Sequence, residues 1–132
     1  MVALDTNLLV RLLTNDDATQ ALQVREWLQA HSSARQPAYI DHLVLAELSW
    51  VLARSHGYAR EQVHLALSSV LRVDAFVIEQ SGQVRQALQW YAAGPGDFAD
   101  YLLAARAHAA GYAPVLTLDR KAARSPTHQL LA

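Results

Sequence analysis

Five carboxylates stand out by what surrounds them. Asp5 closes the run Met1-Val2-Ala3-Leu4, and Glu47 sits within Leu43-Val44-Leu45-Ala46-Glu47-Leu48. Asp97 and Asp100 open Asp97-Phe98-Ala99-Asp100-Tyr101-Leu102-Leu103, and Asp119 closes Val115-Leu116-Thr117-Leu118. An ionised carboxylate in apolar surroundings is disfavoured unless something compensates it, and these stretches carry few matched cations. The pattern predicts acids drawn toward the core and meeting at one divalent cation. Oxygen-only ligands select a hard ion, Mg2+ or Mn2+, over zinc. Such an ion holds a phosphate, lowers the pKa of a bound water and stabilises a leaving oxygen, so no nucleophilic side chain is required. The chain has no cysteine, which excludes disulfides, thiolate zinc sites and Cys nucleophiles. Its histidines show no metal-ligand spacing, and no Ser-His-Asp arrangement is evident.

The elements that must position these acids follow from apolar runs and their punctuation. Val2–Leu4, Ala38–Ile40, Val73–Ile78 and Val115–Leu118 read as strands, the first and last of them buried. Helices are expected over residues 8–13, 18–30, 43–54, 59–71, 79–93 and from about Asp97 to Ala110, with Asn15-Asp16-Asp17 as a break and cap. Asp41 caps the third helix, Gly57 ends it, and Gly94-Pro95-Gly96 stops the fifth. The tail after Pro126 carries no clear signal. Strands alternating with helix pairs imply a parallel sheet with helices on both faces. In such a sheet ligands bind beyond the strands' C-terminal ends. Asp5 and Asp119 lie just past such ends, and Glu47 and Asp100 lie on helices that could point into the same crevice. Asp97 lies three residues before Asp100, on the same helix face. A plainer account exists for each acid alone. Asp119 could be only a helix cap, and Asp100 could pair with Arg106. Glu47 is harder to explain away, because Ala46, Leu48, Trp50 and Val51 leave it little solvated face.

At 132 residues the chain suits one domain, 1–132, with a real core. Its 52% hydrophobic and 17% charged residues favour a globular fold over disorder. A net charge of -1 supplies no global basic field, so nucleic-acid contact requires a local patch. Arg11, Arg120, Lys121 and Arg124 are the candidates; a solvated helix face accounts for them equally well. Trp27, Trp50 and Trp90 are expected in the core or at an interface. No G-x-G-x-x-G or Walker A pattern occurs. No apolar run approaches the roughly 18 residues of a membrane span, and no leader peptide is evident, which predicts a soluble cytoplasmic protein.

With these residues in view, the chain resembles the PIN domain, and within it the VapC toxins of bacterial toxin–antitoxin pairs. Asp5-Thr6-Asn7 after the opening strand resembles the family's D-T-N signature. Leu45-Ala46-Glu47-Leu48 resembles its glutamate helix. Residues 97–105 resemble its D-F-A-D-x-x-x-A block, and Leu116-Thr117-Leu118-Asp119 its closing T-x-D. The resemblance covers nearly the whole chain. It implies a three-layer α/β/α sandwich with a central parallel sheet and a Mg2+- or Mn2+-dependent endoribonuclease. It assigns Asp5, Glu47, Asp100 and Asp119 to an acidic quartet, Asp97 to an additional acidic position, and Thr6, Asn7 and Thr117 to polar positions beside the metal. Asp5 and Asp100 are expected as direct ligands. The resemblance also implies an antitoxin protein that covers the site and a homodimer. The modest basic content departs from what an RNA-binding protein usually carries, and points to a small, shape-defined RNA target.

Two other functions compete. A non-catalytic metal- or phosphate-responsive binding module, similar in outline to receiver domains, would also gather acids at strand ends. It requires a lysine closing a later strand, whereas Lys121, the sole lysine, follows Asp119 in a turn. A catalytically silent PIN-like scaffold has no reason to retain so many costly carboxylates.

Overall fold

Short polar side chains fix where the first three helices begin. In the computed structural model, which describes residues 1–131, helix α1 (Thr6–Thr14) starts at Asp5, whose carboxylate accepts the Leu8 N–H at 3.1 Å. It ends at Asn15, which adopts the left-handed conformation with φ 54°. Helix α2 (Ala18–His31) starts at Asp17, which accepts from the Gln20 N–H. Strand β1 (Ala38–Ile40) runs into Asp41, which caps α3 (His42–Ser55) by accepting from the Val44 N–H at 2.9 Å. Gly57, at φ 66°, follows the end of α3. Helix α4 (Arg60–Leu71) and strand β2 (Phe76–Ile78) come next, then α5 (Ser81–Ala93), α6 (Phe98–Ala109), β3 (Val115–Thr117), a 3-10 turn η1 (Ala122–Arg124) and β4 (His128–Leu130).

The chain divides into two compact units, Met1–Glu79 and Gln80–Ala132. In the first, β1 pairs parallel with β2, Ala38 opposite Phe76, and Ala3 makes a parallel bridge to Tyr39. A pair of helices separates each of these strands from the next. In the second, β3 pairs parallel with β4, Val115 opposite His128. The fold is therefore of the α/β class with parallel strands, as expected.

Each unit's core comes from helices read at a spacing of 3.6. In α3 the buried side chains include Leu45, Leu48, Ser49 and Leu52, beside His42; in α6 they include Phe98, Tyr101, Leu102 and Ala105, beside Ala104. Both sets follow i, i+3, i+4, i+7, which places one stripe of each helix against its unit. Full burial of each large apolar side chain contributes about 1.5–3 kcal/mol.

Several expectations need correction. The opening strand shrinks to the single bridge at Ala3, with Leu4 N–H to Tyr39 O at 2.9 Å and Tyr39 N–H to Val2 O at 2.8 Å. The strand expected from Val73 begins at Phe76, because Phe76 N–H turns back to Val73 O at 3.0 Å. Residues 115–118 are not buried: Leu116 is 59% and Leu118 75% exposed. The tail holds a strand after all, β4. Its sequence His128-Gln129-Leu130 has no apolar run to announce it, and it is held instead by pairing and by the buried His128 ring, which lies edge-on to Tyr101.

Candidate functional site

In the first unit, Asp5 and Thr6 stand at the start of α1 and Glu47 in the middle of α3. The Thr6 hydroxyl donates to Glu47 Oε1 at 3.3 Å, so the structure brings these expected residues together. Asn7 follows at the surface. Glu47 is exposed, contrary to expectation. The reason is angular: the buried stripe of α3 runs through Leu45, Leu48, Ser49 and Leu52, and Glu47 falls on the opposite face. Asp5 is likewise exposed, since a cap lies outside its helix. The acids are thus presented at the surface and not drawn into the core.

In the second unit, Asp97 is the cap of α6 and its N–H donates to Asp100 Oδ2 at 3.0 Å, one half of a capping box. Asp119 Oδ1 accepts the N–H groups of Lys121 at 2.9 Å and Ala122 at 3.2 Å, so this carboxylate holds the turn that leads into η1, whose cap is Lys121. Thr117 Oγ1 accepts the Asp119 N–H at 3.0 Å, which pins the polar position beside that acid. Asp97 and Asp119 are exposed and Asp100 is half-buried.

These bonds orient the carboxylates. Asp5, Asp100 and Asp119 each commit one oxygen to a backbone amide and Glu47 one to a hydroxyl. Each has a second oxygen for a cation, and an all-oxygen donor set fits a hard divalent ion. Asp97 fits less well, because Lys121 Nζ lies 3.9 Å from its Oδ1. That pair is exposed on both sides and correspondingly weak. Within neither unit, among the described residues, do three or more His, Cys, Asp or Glu side chains gather as a complete metal cage.

The basic candidates are placed differently from one another. Arg120, Lys121 and Arg124 are exposed around η1. Arg11 is tied down: its Nε donates to Gln20 Oε1 at 2.6 Å, and its Nη1 lies 3.4 Å from Asp16 Oδ1. The same Asp16 accepts from the Thr14 hydroxyl at 3.0 Å and pairs through Oδ2 with His56 Nε2 at 3.0 Å. The hydrogen bond from His56 holds the Asp16 carboxyl below its ordinary range, and the same bond raises His56. Arg11 thus serves the α1–α2 turn as well as any ligand.

Sequence reasoning missed a buried polar cluster beside Asp97. Tyr101 Oη accepts the Gly96 N–H at 2.9 Å and lies 2.6 Å from Ser125 Oγ. The signal is the pair of glycines two residues apart, Gly94 and Gly96, which make a close approach to Tyr101 as well as stopping a helix.

Comparison with known proteins bears on the family. A family model described as the PIN domain matches residues 2–126. A protein of Aquifex aeolicus (strain VF5) described as a VapC ribonuclease is 22% identical over 121 residues, which cover 92% of this chain and 89% of that protein. The matched span takes in both units and every acid described above, and the chain belongs to the PIN domain family.

Proposed function

We propose that this protein is a Mg2+- or Mn2+-dependent endoribonuclease, the toxin of a toxin–antitoxin pair, with the whole chain 1–132 as its domain. The observation that carries the proposal is the PIN match across residues 2–126, a span that contains Asp5, Glu47, Asp100 and Asp119. The similarity to a VapC ribonuclease along most of both chains supports RNA as the substrate. A bound divalent ion would supply charge to a scissile phosphate and make a water acidic enough to attack it.

The chain's own residues do the rest. Asp5 and Asp100 offer carboxylate oxygens as direct ligands, and Glu47 and Asp119 act directly or through water, with Asp97 as an additional acid. Thr6 steadies Glu47 through its 3.3 Å hydrogen bond, and Thr117 steadies Asp119 through the backbone. Asn7 adds a polar group beside Asp5. Arg120, Lys121 and Arg124, with Arg11, supply positive charge for RNA phosphates, so binding should weaken as salt rises. An antitoxin protein covers the site in the resting cell, and the active form is a cytoplasmic homodimer. Among the described residues no helix is long and apolar enough to cross a membrane.

The test is incubation of total cellular RNA with the purified protein, with Mg2+ or with EDTA, followed by mapping of new 5′ ends. Cleavage at defined positions that EDTA abolishes is expected. Identical RNA profiles with and without the protein would overturn the proposal.

A further inference from the structure

In the second unit, the Gly94-Pro95-Gly96 turn, helix α6 and the turn η1 meet on one buried hydroxyl. Tyr101 is 1% exposed, and Ser125 at the end of η1 is buried beside it. The Gly96 N–H donates to Tyr101 Oη at 2.9 Å, and Oη shares a hydrogen with Ser125 Oγ at 2.6 Å. The glycines permit this approach. A Cβ on Gly94 would overlap the Tyr101 hydroxyl, and one on Gly96 would stand 3.1 Å from its ring.

Both ends of this contact lead to acids. Gly96 directly precedes Asp97, whose own N–H holds Asp100 Oδ2. The Ser125 N–H donates to Ala122 O at 3.0 Å, and the Ala122 N–H donates to Asp119 Oδ1 at 3.2 Å. Hydrogen bonds, joined by the backbone between them, thus link the Gly96-Asp97 segment through Tyr101 and Ser125 to Asp119. A fully satisfied buried polar network rigidifies what it joins. A tyrosine kept only for packing could be phenylalanine without loss; this one has its oxygen engaged on both sides.

We infer that Tyr101 is a positioning residue, whose hydroxyl, held between the Gly96 N–H and Ser125 Oγ, sets the segment bearing Asp97 and Asp100 against the segment bearing Asp119. Its consequence for cation binding rests on the ribonuclease function proposed above; the mechanical role does not.

The experiment compares the full-length wild type with Tyr101→Phe, using amide hydrogen exchange at Gly96 and Ala122 and, separately, Mn2+ binding followed by the spin resonance of the free ion. In the variant the Gly96 and Ala122 amides should exchange roughly tenfold faster while those of the α5 core hold. The Mn2+ dissociation constant should rise roughly 10- to 100-fold, the usual effect of losing an outer partner of a ligand. Unchanged Ala122 exchange together with unchanged Mn2+ affinity would overturn the inference, even if the melting temperature fell, because only packing would then be at stake. A wild type that neither binds Mn2+ nor cuts RNA defeats the proposed function alone; Ala122 exchange in the variant then decides the positioning role by itself. If Tyr101→Phe does not fold, Ser125→Ala breaks the same contact from the other end and is read the same way.

Discussion

The two units hold their acids by different means. In the first, Asp5 is a helix cap at the surface and Glu47 is met by one exposed hydroxyl at 3.3 Å. In the second, Asp100 and Asp119 are bonded to backbone amides, and the segments that supply those amides converge on the buried Tyr101–Ser125 contact. Water competes with a surface hydrogen bond and replaces it when it breaks. It cannot do so inside, where an orphaned group bears its full desolvation penalty. The geometry of the first unit's acids is therefore set mainly by the backbone they sit on, and that of the second by side chains under them. Deleting charge should hurt both units alike, and deleting a hydroxyl should hurt only one.

The largest expected effect falls on charge. Asp5→Asn and Asp100→Asn should each lower the rate of RNA cleavage about a thousandfold, since the charge stabilisation given by a catalytic ion amounts to several kcal/mol. Asn caps a helix nearly as well as Asp, so Asp5→Asn should leave the melting temperature almost unchanged. Cleavage assays beside thermal melts separate the two readouts. Retained activity in both variants would remove the acids from the chemistry in both units at once.

Hydroxyl deletions sharpen the contrast between the units. Tyr101→Phe removes the oxygen that the Gly96 N–H and the Ser125 hydroxyl share and should destabilise the fold by about 1–3 kcal/mol. Thr6→Ala removes only the exposed bond to Glu47 and should cost no more than about 0.5 kcal/mol. Denaturant titrations of the two variants measure both values. Equal losses would mean that burial is not what distinguishes the two arms.

Much of the frame was legible from sequence, for a physical reason. Asp17 and Asp41 cap helices where short acceptors precede apolar periodicity, and Asn15 and Gly57 end them in the left-handed region. These are local effects, decided within four residues. The six helices follow the expected spans to within one or two residues at almost every end. What failed was whatever depends on the other side of a contact. Apolar neighbours suggested that Glu47 was buried, yet helical phase turns it outward. β4 exists because β3 pairs with it, which His128-Gln129-Leu130 alone does not reveal. Nothing in the sequence around Tyr101 marks its hydroxyl; that oxygen acquires a role only from Gly96 and from Ser125, 24 residues away.

The smallest expected effect comes from another surface tie in the first unit, and it should respond to pH. Asp16 and His56 join the α1–α2 turn to the end of α3 through their 3.0 Å contact. Their hydrogen bond raises His56 above its ordinary 6.5, so its contribution is complete below that value and is lost as pH rises through the raised one. The same bond lowers Asp16 beneath its ordinary 3.8, so its contribution is complete above that value and is lost as pH falls through the lowered one. The pair should therefore help most from about pH 4 to 6.5. Because Asp16 is exposed, the gain is small and salt should diminish it. Melting temperatures of the wild type and His56→Gln should differ most near pH 5 and converge above about pH 8. Added salt should shrink the gap at pH 5. By contrast, the melting difference between the wild type and Tyr101→Phe should persist in salt, because that contact is made of neutral hydroxyls shielded from solvent. A His56→Gln gap that ignored both pH and salt would mean that His56 contributes through packing, and the first unit would then rely on buried support just as the second does.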